Sequence, residues 1–138
     1  MLVTGDSVLA RLSALESATQ GFITLTAGVG GIQTAKVVAF DALSNTVQHA
    51  DCRTIQHAGM LIGIAIESAS AGDPVRIQGI GAYTSSLLSF GQLGAVLLGY
   101  NGGLVFTPPV DAVFVQHVGV ATATSVLDLM ITPTAYIV

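Results

Sequence analysis

Most of the side chains in this sequence that could do chemistry lie between His49 and His57. The stretch reads HADCRTIQH and holds two of three histidines, the only cysteine and one of four lysine or arginine residues. Two reactions are open to such a set. A Cys–His pair can act as a thiolate nucleophile, and a Cys/His cluster can hold zinc. Structural zinc takes four ligands in short paired spacings, so Cys52 and His57 would have to recruit His49 and His117, the other two histidines. A nucleophilic cysteine needs an electropositive setting and a third residue that orients the base. Asp51 is present, but basic residues are too scarce to supply that setting. The segment therefore reads as a solvated polar connector. Neither a metal nor a cofactor is expected, and the chain does not read as an enzyme.

The remaining chemical candidates are weaker. Carboxylates for paired acid–base work would come from Asp41, Asp51, Glu67, Asp73, Asp111 and Asp128. Asp73 stands in a Gly-Asp-Pro turn and Asp41 beside a hairpin turn, which is ordinary turn chemistry. AGVGGIQTAK (27–36) is glycine-rich and ends in lysine, but lacks the GxxxxGK[ST] register of a phosphate loop. Gly28, Gly30 and Gly31 suit a mobile loop or a close backbone approach. The eight aromatic residues are not interleaved with basic ones, so base stacking on single-stranded nucleic acid is unsupported.

Composition narrows the classes further. At 138 residues the chain suits one domain. Charged residues are 9% and hydrophobic ones 51%, against about 25% charged in an ordinary soluble domain. A net charge of −4 with four basic residues argues against nucleic acid, which is bound by neutralising phosphates. Residues 77–110 carry no formal charge. Serines, polar residues and glycines cut that run into strand-length pieces, so no spanning helix is expected. No basic, then apolar, leader pattern is visible. A chain this apolar is expected to bury surface against copies of itself or a large partner.

The elements that must position these residues fall into two parts. Residues 1–20 are rich in helix formers and predict a short N-terminal helix or arm. Val8, Leu12, Leu15 and Thr19 follow a 4-3-4 spacing, with Arg11 and Glu16 at flanking positions suited to interchain salt bridges in a parallel bundle. Val8, Leu12, Leu15, Arg11 and Glu16 are thus candidate contacts between copies in a bundled stem. Residues 21–138 predict a β-rich domain, with strands over FITLTAG, VVAFDA, TVQHA, MLIGIAIESA, VRIQGIGAY, AVLLGY, LVFT, FVQHVGVATAT and VLDLMITPTAYIV. Asn101-Gly102 is the strongest hairpin signal. The domain also repeats itself, at about 37–83 and 95–138. Gly63 aligns with Gly119 and Val38 with Val96, each half reading hairpin, loop, hairpin. The fold expected is mainly β, a small sandwich or barrel of two similar hairpin units.

The stretch GYNGGLVFTPPVDAVFVQHVGVATATSVLDLMI resembles the decoration (cement) and head-fibre proteins of tailed-phage capsids. The resemblance is carried by Asn101-Gly102, Thr107-Pro108-Pro109, Val115-Gln116, Val118-Gly119 and Ala121. Leu61–Ala65 with Gly63, followed by Ala71-Gly72-Asp73-Pro74-Val75, is similar to the same family's core. It covers roughly residues 36–138 and leaves the N-terminal arm outside. The resemblance implies a non-enzymatic β-rich virion protein, a homotrimer on the outer capsid surface, made in the host cytoplasm. Its partners would be itself and the major capsid protein, with no nucleic acid and no membrane. The alternative it leaves open is a receptor- or glycan-binding module on a fibre, for which Tyr83, Tyr100 and Tyr136 are the tyrosines available.

Overall fold

The computed structural model describes residues 21–138. Val8, Arg11, Leu12, Leu15 and Glu16, with the helix expected for them, lie outside the described residues. Within those residues the chain forms β1 (Phe22–Thr26), β2 (Val37–Asp41), β3 (Thr46–His49), β4 (Leu61–Ala65), β5 (Pro74–Gln78), β6 (Ile80–Thr84), β7 (Gly94–Leu98), β8 (Leu104–Val105), β9 (Phe114–Val115), β10 (His117–Ala123), β11 (Val126–Met130) and β12 (Tyr136–Ile137). A single 3-10 turn, Ile55–His57, interrupts them. The protein is mainly β, and its strands pair antiparallel.

Two five-stranded sheets share one connectivity. The first runs β1-β5-β4-β2-β3 and the second β6-β11-β10-β7-β8. In each, a hairpin is followed by a second hairpin whose first strand lies against the first strand of the first. An earlier or connecting strand then pairs on the outside. β9 and β12 form a separate two-stranded ribbon. Val38 pairs with Gly63 in the first sheet, with a register shift beside it, and Val96 pairs with Gly119 in the second, again beside a shift. Both glycines sit where no side chain fits. A methyl built on Gly63 would collide with the Gln78 carbonyl oxygen, and one on Gly119 with that of Asp128. Bulges of this kind bend a strand and increase its twist.

In the first sheet β2 and β4 are buried on both faces. Val37, Ala39, Leu61 and Ile64 belong to a cluster that also holds Tyr83, Val96, Leu98, Phe114, Leu127 and Leu129 of the second half. The alternate residues Val38, Phe40, Ile62 and Ala65 enter a second cluster with Val47, Val75 and Ile77. That explains the unbroken apolar run LIGIA: period-2 alternation disappears when both sides of a strand are covered. Ala27 bridges to Val47 and closes β1 toward β3 over the second cluster. Gly28 makes a close approach there, its N–H donating to the Val47 carbonyl at 2.8 Å.

Three expected strands are each divided, VLDLMITPTAYIV into β11 and β12 among them. VRIQGIGAY becomes β5 and β6, in different sheets, because the chain crosses between them at Gly79 and Gly81 adopts φ +87°. FVQHVGVATAT becomes β9 and β10, separated at Gln116. Gln116 is 1% exposed and uses its amide to tie the two halves, accepting from the Gly59 N–H at 3.0 Å and donating to the Thr132 carbonyl at 2.7 Å.

Candidate interaction surface

The HADCRTIQH segment is a clamp between the two sheets. The sequence predicts a solvated connector, whereas Asp51, Cys52 and His57 are all buried. The cause is the Asn101-Gly102 turn, which arrives from the β7–β8 hairpin and covers the loop. Asn101 and Gly102 take φ +48° and +75°, the left-handed pair that a tight hairpin turn requires. Asp51 then works in three directions. Its carboxylate accepts from the Asn101 N–H at 3.0 Å, from the Arg53 N–H at 2.9 Å, and from the Arg53 guanidinium in a two-point fork at 2.9 and 2.8 Å. The Arg53 hydrogen bonds, partly opposed by burial, hold its pKa at about 2. Arg53 also lies 4.0 Å over the Tyr100 ring, and the Tyr100 hydroxyl donates to Asp111.

The same geometry fixes where the cysteine and the histidines stand. Cys52 is fully buried, and its main-chain carbonyl accepts from Val113 and Phe114. Burial pushes its thiol pKa up, with Asp51 adding to the effect; an activated thiol requires the opposite shift. His57 accepts the Asp51 N–H on Nδ1 at 3.0 Å, so its proton resides on Nε2, and burial lowers its pKa. His49 is on β3, where Nε2 accepts from the Gln33 N–H at 2.9 Å. His117 begins β10. Among the described residues, no three His, Cys, Asp or Glu side chains are grouped to hold a metal ion.

The family-motif residues occupy structural positions. Asn101 and Gly102 form the clamping turn, Gly63 and Gly119 the two close approaches, and the Asp73 carbonyl accepts from the Ala27 N–H at 2.8 Å. Pro108 and Pro109 lie beyond β8, which ends at Val105 and is shorter than the LVFT strand expected. Of the tyrosines weighed for glycan contact, Tyr83 is buried, and Tyr100 is 40% exposed with Arg53 over one face of its ring. Tyr136, on β12, is exposed.

Exposed apolar residues occur in several loops, Val29, Leu43 and Val110 among them, and one patch of them lies on the outer face of the second sheet. Register places Ala82, Asp128, Val120 and Ala95 in one row across β6, β11, β10 and β7, with Ile80 opposite Met130 in the next. Ile80, Met130 and Val120 are 44%, 64% and 41% exposed. Asp128 is the single ionisable residue among these six. Alternation over Val126–Met130 carried a signal for this face, with Leu127 and Leu129 inward and Asp128 and Met130 outward. The sequence alone did not show which strands would line up beside it. No helix among the described residues is long and apolar enough to cross a membrane. No family model, curated protein or solved structure matches this chain.

Proposed function

We propose that this chain is a non-enzymatic structural protein of a phage head, acting as a homotrimer that binds the outer capsid surface and decorates or stabilises it. One observation carries the reading: an apolar sheet face, Ile80, Ala82, Ala95, Val120 and Met130 around a lone carboxylate, lies open on a chain with only 9% charged residues. A face of that composition is suited to burial in an assembly. Each copy would contribute about 25 cal/mol per Å2 of apolar area removed from water, less the ordering cost of docking. Repetition over a symmetric lattice adds by multivalency. The phage setting and the trimer rest on the motif resemblance, and the mechanism on the exposed face. The motifs themselves lie in turns and close approaches, which suits a scaffold role for them. The stem contacts Val8, Leu12, Leu15, Arg11 and Glu16 belong to the same proposal.

The test uses two variants. Val120→Asp with Met130→Asp places two carboxylates on the open face without touching either core. Leu12→Asp with Leu15→Asp charges the proposed stem. Analytical ultracentrifugation should give a trimer for the native chain and monomers for the stem variant. The face variant should keep its secondary structure and lose binding to undecorated capsids in co-sedimentation. A native chain that stays monomeric and ignores capsids would overturn the proposal.

A further inference from the structure

Two of the three histidines accept main-chain hydrogen bonds on a ring nitrogen. His49 Nε2 takes the Gln33 N–H at 2.9 Å, and His57 Nδ1 takes the Asp51 N–H at 3.0 Å. Only a neutral imidazole has a nitrogen free to accept, and its one proton then sits on the other nitrogen. A second proton turns each acceptor into a donor, so that two N–H groups face each other. Neither residue belongs to the open face of the second sheet.

Each bond closes a loop. Residues 28–35 lie between β1 and β2 and turn at Gly30 and Gly31, both at positive φ. On one side the loop is held by Ile32, which exchanges two bonds with Ala69 at 2.8 and 2.9 Å, and by the Ala35 N–H on the Ala65 carbonyl. On the other side it is tied to β3, through the Gly28 N–H on the Val47 carbonyl and the Gln33 N–H on His49. Losing the His49 bond frees Gln33 from β3 while buried Ile32 stays anchored. Residues 50–57 fold back on themselves. The Thr54 N–H donates to the Asp51 carbonyl and the His57 N–H to the Thr54 carbonyl, both at 3.0 Å. The His57 ring then closes the circuit onto Asp51, fixing the main chain from which that carboxylate reaches Arg53 and Asn101.

The charges facing the two rings differ. Lys36 faces His49 and adds to the effect of burial, which disfavours the charged ring. Asp51 and Asp41 face His57 and favour its charge, but burial outweighs them. The neighbouring groups keep their charge through mild acid. Asp51 ionises at about 2, and burial keeps the Cys52 thiol protonated.

We infer that His49 and His57 form an acid latch: as neutral rings they hold the 28–35 and 50–57 loops closed, and once protonated they release both loops while the two sheets remain folded. Opening a loop in this way requires less free energy than unfolding the sheets.

Hydrogen exchange of the full chain, followed by NMR and corrected for its intrinsic pH dependence, reads the two bonds separately. Between about pH 7.5 and 5, where imidazoles titrate, the Gln33 and Asp51 amides should each lose about tenfold in protection. The ring signals of His49 and His57 should shift over the same range, and the amides of β4 and β10 should keep their protection. His49→Gln offers an amide oxygen near the place of Nε2, and His57→Asn one near the place of Nδ1. Neither oxygen titrates, so each variant should abolish the loss at its own partner amide and leave the other. His117→Gln, which removes the third histidine, should alter neither. The inference is overturned if either amide keeps its protection down to pH 5, or if the strand amides lose theirs in parallel. Loss that survives in folded His49→Gln and His57→Asn chains would overturn it as well. The measurements on the native chain decide the matter even if a variant does not fold.

Discussion

Adding one methyl group at Gly63 tests how closely β4 is pressed against its neighbours. Built on the backbone, that methyl overlaps the Gln78 carbonyl oxygen and lies 2.8 Å from the Gln78 carbonyl carbon and 2.9 Å from Ile77 Cγ2. The obstacle is mostly main chain, so no side-chain rotation relieves it. β5 would have to retreat, loosening its pairing with Ile64 and Ala65. Overpacking of this kind costs about 1–3 kcal/mol, and a weakened ladder bond adds about 0.5–1.5 kcal/mol. Alanine recovers about 0.5–1 kcal/mol through its smaller backbone entropy. The expected net loss for Gly63→Ala is about 2 kcal/mol, a large part of the ~5–15 kcal/mol typical of a domain. At about 4 °C per kcal/mol for a chain of this size, Tm should fall by about 8 °C. Gly119→Ala should lose a similar amount, since its methyl would overlap the Asp128 carbonyl oxygen and lie 3.0 Å from the carbonyl carbon. Gly91→Ala is the control, because a methyl there meets nothing within 4 Å. Urea unfolding followed by circular dichroism measures all three. If Gly63→Ala unfolds within about 0.5 kcal/mol of Gly91→Ala, the close approach is not a constraint and the argument from the bulge is wrong.

The clamp makes further predictions. Asp51→Asn keeps an acceptor for the Asn101 N–H but removes the charge in the Arg53 fork. With the Asp51 pKa at about 2 against an ordinary 3.8, and Arg53 42% exposed, the loss at pH 7 should be about 1–2 kcal/mol. This contribution is complete above pH ~4 and fades as pH falls through the depressed value. The native chain should therefore converge on the variant near pH 2, read from urea midpoints. His57 acts in a higher window. Burial lowers its pKa, so the stability gained from its neutral form is present above the ordinary value of 6.5 and is lost as pH falls below it toward the folded value. Urea midpoints should drop between pH 7.5 and 5, and His57→Gln should flatten that slope. Cys52, buried with a raised thiol pKa, should resist a disulfide reagent in the native state and react fully in urea; rapid native labelling would contradict its placement.

Much of the strand pattern could be read from the sequence. FITLT, VVAFD, TVQH and GAVLL form strands because β-branched and apolar residues end at glycine, serine or asparagine turns. The Val38–Gly63 and Val96–Gly119 correspondences occupy like register positions in the two sheets. Crossings between sheets were not legible. VRIQGIGAY alternates smoothly, yet the chain leaves one sheet for the other at Gly79, because alternation records which residues face inward and not which sheet they face. The polar loop failed to read correctly for a related reason. Asp51 and His57 resemble solvated residues until the Asn101 turn, 50 positions away, is brought over them. Buried Gln116 was equally unreadable, since its partners Gly59 and Thr132 come from distant segments.

In the first sheet β2 and β4 have no solvent face, because one side packs toward the second half and the other is closed over by the sheet's own strands. The outside of the second sheet is open to solvent, as is the Pro74 and Arg76 side of β5. Copies laid on a support through the second sheet's outer face, as proposed, would turn the first half outward. What they present there includes the Arg76 guanidinium over the exposed Phe22 ring rather than a second copy of the same face.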